Sequence, residues 1–250
     1  FKNSLFYTEL VIPKFQNCRK NNENYTLFSA EIENGQWLIK KLNARDDKNF
    51  FYINNDNIDN LKIFFISNEY EVGLIKKKNF SELLNLNKFT NTTPEYRANF
   101  KVLNDKGGYS SYQSDYPYEM IKINGNIISS LFSLTNKNAD NNYILFRNIF
   151  YKPLIENFKV FIINLKIKKI LYSTTFKTNY TNIFKLEKNF INEDCYLFSK
   201  NYIGIPIFLS SKNDHLSLEH TLPFTSYILS SNKYKLVSDI KRELNEIINK

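Results

Sequence analysis

The dipeptide Asn34-Gly35 constrains this chain more than any other pair of its residues. It stands between two alternating runs, Tyr25–Ile32 and Trp37–Leu42. Asn and Gly both tolerate a positive φ, so together they make the tight turn whose twist matches that of flanking strands. An alternating run has a period of two and puts its apolar residues on one face of a strand. The spacing therefore predicts an antiparallel hairpin. The arrangement recurs further on. Asn124-Gly125 separates Ile121–Ile123 from Ile127–Leu134, and Lys168-Lys169 separates Phe158–Ile167 from Ile170–Thr178.

Shorter apolar runs read as further strands: Phe50–Ile53, Leu61–Ile66, Val72–Ile75, Arg97–Leu103, Tyr143–Phe150, Ile183–Leu186 and Tyr196–Ser199. Residues 1–20 read as an extended lead-in, with Leu10, Val11 and Ile12 ahead of Pro13. Phe80–Leu86 reads as a short helix with Asn79 as its cap. The last segment differs in kind. Leu236, Val237, Ile240, Leu244, Ile247 and Ile248 recur at helical spacing with charged residues between them, which predicts an amphipathic helix over Tyr234–Ile248 docked on a sheet.

The predicted fold class is therefore mainly β: an antiparallel β-sandwich or barrel-like sheets with a C-terminal amphipathic α-helix. Polar residues 87–96, ending at Thr93-Pro94, mark a boundary between an N-terminal β-rich part (1–96) and a main sheet part with the terminal helix (97–250). One continuous domain is the alternative.

Charge enters when partners are considered. A net charge of +9 invites a nucleic-acid reading. The excess is nearly all lysine, however, and arginine is scarce beside abundant Asn, Ile, Phe and Tyr. That profile follows from AT-rich codons. The lysines are scattered, with Lys76–Lys78 the one short run, so nucleic acid is not the expected partner. No apolar run is long enough to span a bilayer, and a soluble chain is expected. The chain starts at Phe1 and has its one methionine at Met120, which reads as a processed, truncated or incompletely covered N-terminus. Cys18 and Cys195 make neither a metal spacing nor a redox motif, and buried thiols are expected.

Two segments offer chemistry. The first is Ile203–Pro223, which holds the two histidines of the chain. Leu216 and Leu218 alternate with His215, Ser217 and Glu219, so the segment from His215 reads as the second strand of a hairpin. Its turn lies in Ser210–Asp214. His215, Ser217 and Glu219 then share one face, and Leu216, Leu218 and His220 the other. Imidazole beside carboxylate suits acid–base work or a divalent metal, with His215, Glu219 and His220 as the ligand candidates. The opposed faces argue against one metal taking both histidines. The better pairing is His215 with Glu219, the carboxylate holding the second ring nitrogen. His215 is expected to be exposed and ligand-facing, His220 buried and structural.

The second segment is Gly107–Met120, read as a long loop. Tyr109, Tyr112, Gln113, Tyr116 and Tyr118 are the ligand-binding candidates, because sugar recognition needs stacking faces and planar hydrogen-bonding groups together. Asp115 and Glu119 are a candidate carboxylate pair for glycoside cleavage. The bland alternative has these rings packing the loop on its sheet. Neither nucleotide fingerprint nor serine elbow occurs. The leading expectation is a binding protein for a polar ligand, a glycan before others. The second is a glycan-acting or metal-dependent enzyme using His215, Glu219, Asp115 and Glu119. The third is a structural or assembly subunit.

Overall fold

The computed structural model describes residues 6–14, 25–67, 97–113, 125–220 and 231–250. The chain is mainly antiparallel β with one helix at its C-terminal end. In chain order the strands are β1 Tyr7–Pro13, β2 Thr26–Glu33, β3 Gln36–Lys41, β4 Arg45–Asp46, β5 Phe50–Ile53 and β6 Ile63–Ser67. They continue as β7 Asn99–Leu103, β8 Tyr109–Gln113, β9 Ile127–Ser130, β10 Asn141–Arg147, β11 Asn157–Asn164 and β12 Lys169–Lys177. The last four are β13 Thr181–Leu186, β14 Cys195–Ser199, β15 Ile205–Lys212 and β16 His215–His220, followed by helix α1, Lys233–Ile248.

Among the described residues these strands form four sheets. The first has the order β4-β5-β1-β7-β8, the second β3-β2-β6, the third β13-β10-β15-β16 and the fourth β12-β11-β14-β9. The first sheet takes strands from both sides of residue 96. Its centre is β1, which pairs with β5 on one side and β7 on the other. The Asn34-Gly35 turn forms as its residues require: φ is 50° at Asn34 and 72° at Gly35, and Glu33 faces Gln36 across it.

The sheets are arranged as a propeller-like ring rather than the expected sandwich. Packing shows why. A sandwich leaves each sheet one solvent face, but the third sheet buries both faces of its central strands, β10 and β15. Ile144, Phe146 and Phe208 face Phe158, Val160 and Ile162 of the fourth sheet. From its other side, Tyr143, Leu145 and Leu209 meet Val102 of the first and Phe6, which precedes β1. The first sheet in turn packs Ile12, Phe51 and Ile53 on Leu27 and Ile66 of the second. Phe28 and Phe65 of the second meet Ile149, and Trp37 Nε1 donates to the Tyr151 carbonyl at 3.1 Å. Rings then run Tyr151–Phe150–Tyr202–Phe158 back to the fourth sheet. Burial on both faces also explains why Tyr143–Phe146 is a continuous apolar run without alternation.

Helix α1 covers the outer face of the fourth sheet. Leu244 and Ile247 are buried there against Ile163 and Phe198. Among the described residues no helix is long and apolar enough to cross a membrane. Three expected elements are corrected in extent. Residues 131–134 leave the strand that was to include them, so β9 ends at Ser130. The strand before the histidines runs on through Lys212, and its turn is only Asn213-Asp214. Tyr109–Gln113 is a strand paired with β7, not the start of a loop. The expected strands Val72–Ile75 and Ile121–Ile123, the helix Phe80–Leu86, residue Asn124 and Cys18 lie outside the described residues.

Candidate functional site

The described parts of the two segments singled out by sequence, 107–113 and 203–220, lie side by side. The turn between β7 and β8 docks on the turn between β15 and β16. Asn104 organises the first turn: its side-chain oxygen accepts from Lys106 N at 3.0 Å and Gly108 N at 2.8 Å. Its amide nitrogen donates across to the Asp214 carbonyl at 2.8 Å, and Lys106 Nζ lies 3.1 Å from Asp214 Oδ1. Gly107 takes a φ of 89°, open to glycine. Gly108 has a different reason. A Cβ there would lie 1.7 Å from the Asp214 carbonyl oxygen, so only glycine allows the two turns to touch. On the other side, Asn213 turns with φ 52° and donates its N–H to Asp140 at 2.9 Å.

From this junction β8 and β16 run along each other as the edge strands of two sheets. They do not form a ladder. Instead Leu218 N donates to Ser110 Oγ at 3.1 Å. Further on, the Tyr112 and His220 rings lie 4.4 Å apart at 53°. Alternation sorts the side chains. Ser110, Tyr112, Leu216, Leu218 and His220 turn to the seam and the core beneath it. Tyr109, Ser111 and Gln113 of β8 are exposed, and so are His215, Ser217 and Glu219 of β16. Tyr109 is the extreme case, 67% exposed.

His215 and Glu219 share a face, as expected, and His220 takes the more buried side. Their expected partnership fails on distance. Four residues of strand separate their backbones by about 13 Å, at ~3.3 Å per residue, with both side chains standing off the sheet. A carboxylate at that range cannot hold an imidazole nitrogen. Among the described residues no three His, Cys, Asp or Glu side chains come together as a metal site. Tyr112 is half-buried in the core beneath the seam rather than on an open loop. Asp115, Tyr116, Tyr118 and Glu119 lie outside the described residues.

Other titratable groups belong to the scaffold. Cys195 is a free thiol, fully buried, and burial pushes its pKa up, with Asn164 Nδ2 3.8 Å from the sulfur. That is the opposite of an activated nucleophile. Tyr202 is pushed up to about 12, first by burial and then by its hydrogen bond to Glu156 Oε2 at 2.5 Å. Asp47 is held below its ordinary value by the Tyr52 hydroxyl and by the N–H groups of Asn49 and Phe50.

Sequence reasoning missed one polar centre altogether, the chain crossing Thr178–Asn182 between the fourth and third sheets. Thr178, Asn179 and Asn182 are all buried there. In an asparagine-rich chain nothing local distinguishes these amides from the exposed ones. No protein family, curated protein or solved structure matches this chain.

Proposed function

We propose that this chain is a binding module for a polar ligand of carbohydrate type, with the β8–β16 seam as its contact surface. The observation that carries this reading is the convergence of the tyrosine strand and the histidine strand on one exposed strip. Tyr109 offers a flat face with a hydroxyl at its rim. Ser111, Gln113, Ser217 and Glu219 add the donors and acceptors that a polyol needs. The docked turns hold both strands in place, so little order is lost on binding. An enzyme working on the same strip would have to use His215 and Glu219 at separate points, since they stand too far apart to act on one bond.

The experiment is a glycan array followed by titration of any hit with Tyr109→Ala and His215→Ala. Both side chains are exposed, so the melting temperature should hold. Affinity should fall by up to about tenfold for the lost stacking face. Binding that survives both changes, or an array without a saturable hit, rejects the reading.

A further inference from the structure

We infer that the ligand is an uncharged, extended oligosaccharide chain lying across the first sheet, with Tyr7 as a second stacking position beside Tyr109. The inference rests on the reading of Tyr109 as a sugar contact and names the class of sugar.

The first sheet makes its apolar contacts from one face. Ile12, Phe51 and Ile53 meet the second sheet, and Phe100, Val102 and Tyr112 meet the third. Residues directly opposite in an antiparallel ladder share a face, and the registers put all six on the same side. The residues between them stand on the other side. There Tyr7 is opposite Leu103, and Leu103 is opposite Tyr109, in a row across β1, β7 and β8. Opposed side chains have their Cβ atoms ~5 Å apart, so Tyr7, Leu103 and Tyr109 make one unbroken strip. Tyr7 is 57% exposed and Tyr109 67%. Further along β1, Val11 is only 8% exposed, so the open surface narrows there to a band across the strands.

Two strand spacings of ~4.8 Å put the Tyr7 and Tyr109 backbones about 10 Å apart. One sugar ring cannot lie on both. A ligand that covers the two is therefore a chain of rings running across the strands. The strip also leads to the seam. Gly108 touches Asp214, and Ser110 meets Leu218, so Tyr109 lies alongside the segment between, which carries the exposed His215 and Ser217.

Charge selects the kind of chain. The protein carries +9 overall, yet Tyr7, Leu103 and Tyr109 are all uncharged. The charges beside them are paired. In the next row Lys101 Nζ donates to Glu9 Oε1 at 2.9 Å, with Ser111 opposite Lys101. At the turn Lys106 Nζ lies 3.1 Å from Asp214 Oδ1. A carboxylated or sulfated chain would meet no free cation on the strip, whereas a neutral one meets rings, hydroxyls and compensated ion pairs. Both tyrosines stand on fixed backbone. β1 is paired on both sides, and Gly108 N is held by Asn104 at 2.8 Å, so little order is lost on binding.

The test is calorimetric titration of the full chain with cello-, xylo- and manno-oligosaccharides, from disaccharide to hexasaccharide, with oligogalacturonate as the charged control. Affinity should rise with length in at least one neutral series, with amide NMR shifts at residues 7–9, 101–103 and 109–111. Tyr7→Ala, an exposed change, should weaken the hexasaccharide about tenfold and leave the disaccharide unchanged, whereas Tyr109→Ala should weaken both. A hexasaccharide that survives Tyr7→Ala but is weakened by Tyr109→Ala overturns the inference and leaves the seam reading standing. Stronger binding of oligogalacturonate does the same. Absence of saturable binding in every neutral series also overturns it, and the glycan array then decides whether the seam reading falls with it.

Discussion

At the scale of single residues, the two histidines have different work although five positions separate them. His220 packs its ring against that of Tyr112, centroids 4.4 Å apart and tilted by 53°, where the edges of two sheets meet. His215 is exposed beside the Asn213-Asp214 turn. His220→Ala should therefore lower stability by about 1 kcal/mol, the worth of an aromatic pair beyond its area. His215→Ala should leave stability unchanged. Paired thermal melts read this directly. Equal losses in the two variants would mean that the seam does not separate an inner from an outer side. Gly108 shows a subtler residue-level demand. Its neighbour Gly107 needs a positive φ, which sequence rules anticipate for a glycine in a turn. Gly108 needs space, because the Asp214 carbonyl occupies the place of a Cβ.

At the scale of elements, the terminal helix is the clearest case of periodicity becoming packing. The apolar stripe predicted for Tyr234–Ile248 delivers Leu244 and Ile247 to the outer face of the fourth sheet. Leu244 is completely buried. Leu244→Ala should cost about 2–5 kcal/mol through the cavity it leaves. Leu244→Asp should cost more, because an unpaired charge would sit on Ile163 and Phe198. Urea unfolding of both variants measures this, and an Asp variant as stable as the parent would show the helix undocked. Strands behave less simply. β8 was legible as polar and tyrosine-rich but not as a strand. Its alternation, Tyr109-Ser-Ser-Tyr-Gln, carries only one half-buried ring, and polar edge strands give weak period-two signals.

At the scale of the whole molecule, the ring makes the sheets depend on one another. The central strands of the third sheet, β10 and β15, are covered on both faces, and the second sheet closes on the 149–151 segment through Trp37 and Phe65. No sheet can lose its partners without exposing an apolar face of the next. Unfolding should therefore be one transition. Trp37 fluorescence, which reports the second sheet, should change at the same denaturant concentration as far-ultraviolet circular dichroism, which reports all four. A fluorescence midpoint well below the dichroism midpoint would show that the second sheet opens alone.

What the sequence determines by itself is local. Asn34-Gly35 makes its turn because both residues accept a positive φ wherever they stand. The apolar stripe of α1 is a property of its own spacing, and so is the division of β16 into a His215 face and a His220 face. Tertiary structure alone decides which faces meet. The apolar run Tyr143–Phe146 signals burial on both sides, but not that one side meets Phe158 and the other Phe6. Nor does any spacing place Gly108 under the Asp214 carbonyl, 106 positions away, or gather Asn148, Asn179 and Asn182 at one crossing. Such contacts depend on which sheet follows which around the ring. That choice is set by the summed fit of faces far apart in the chain, which no local period records.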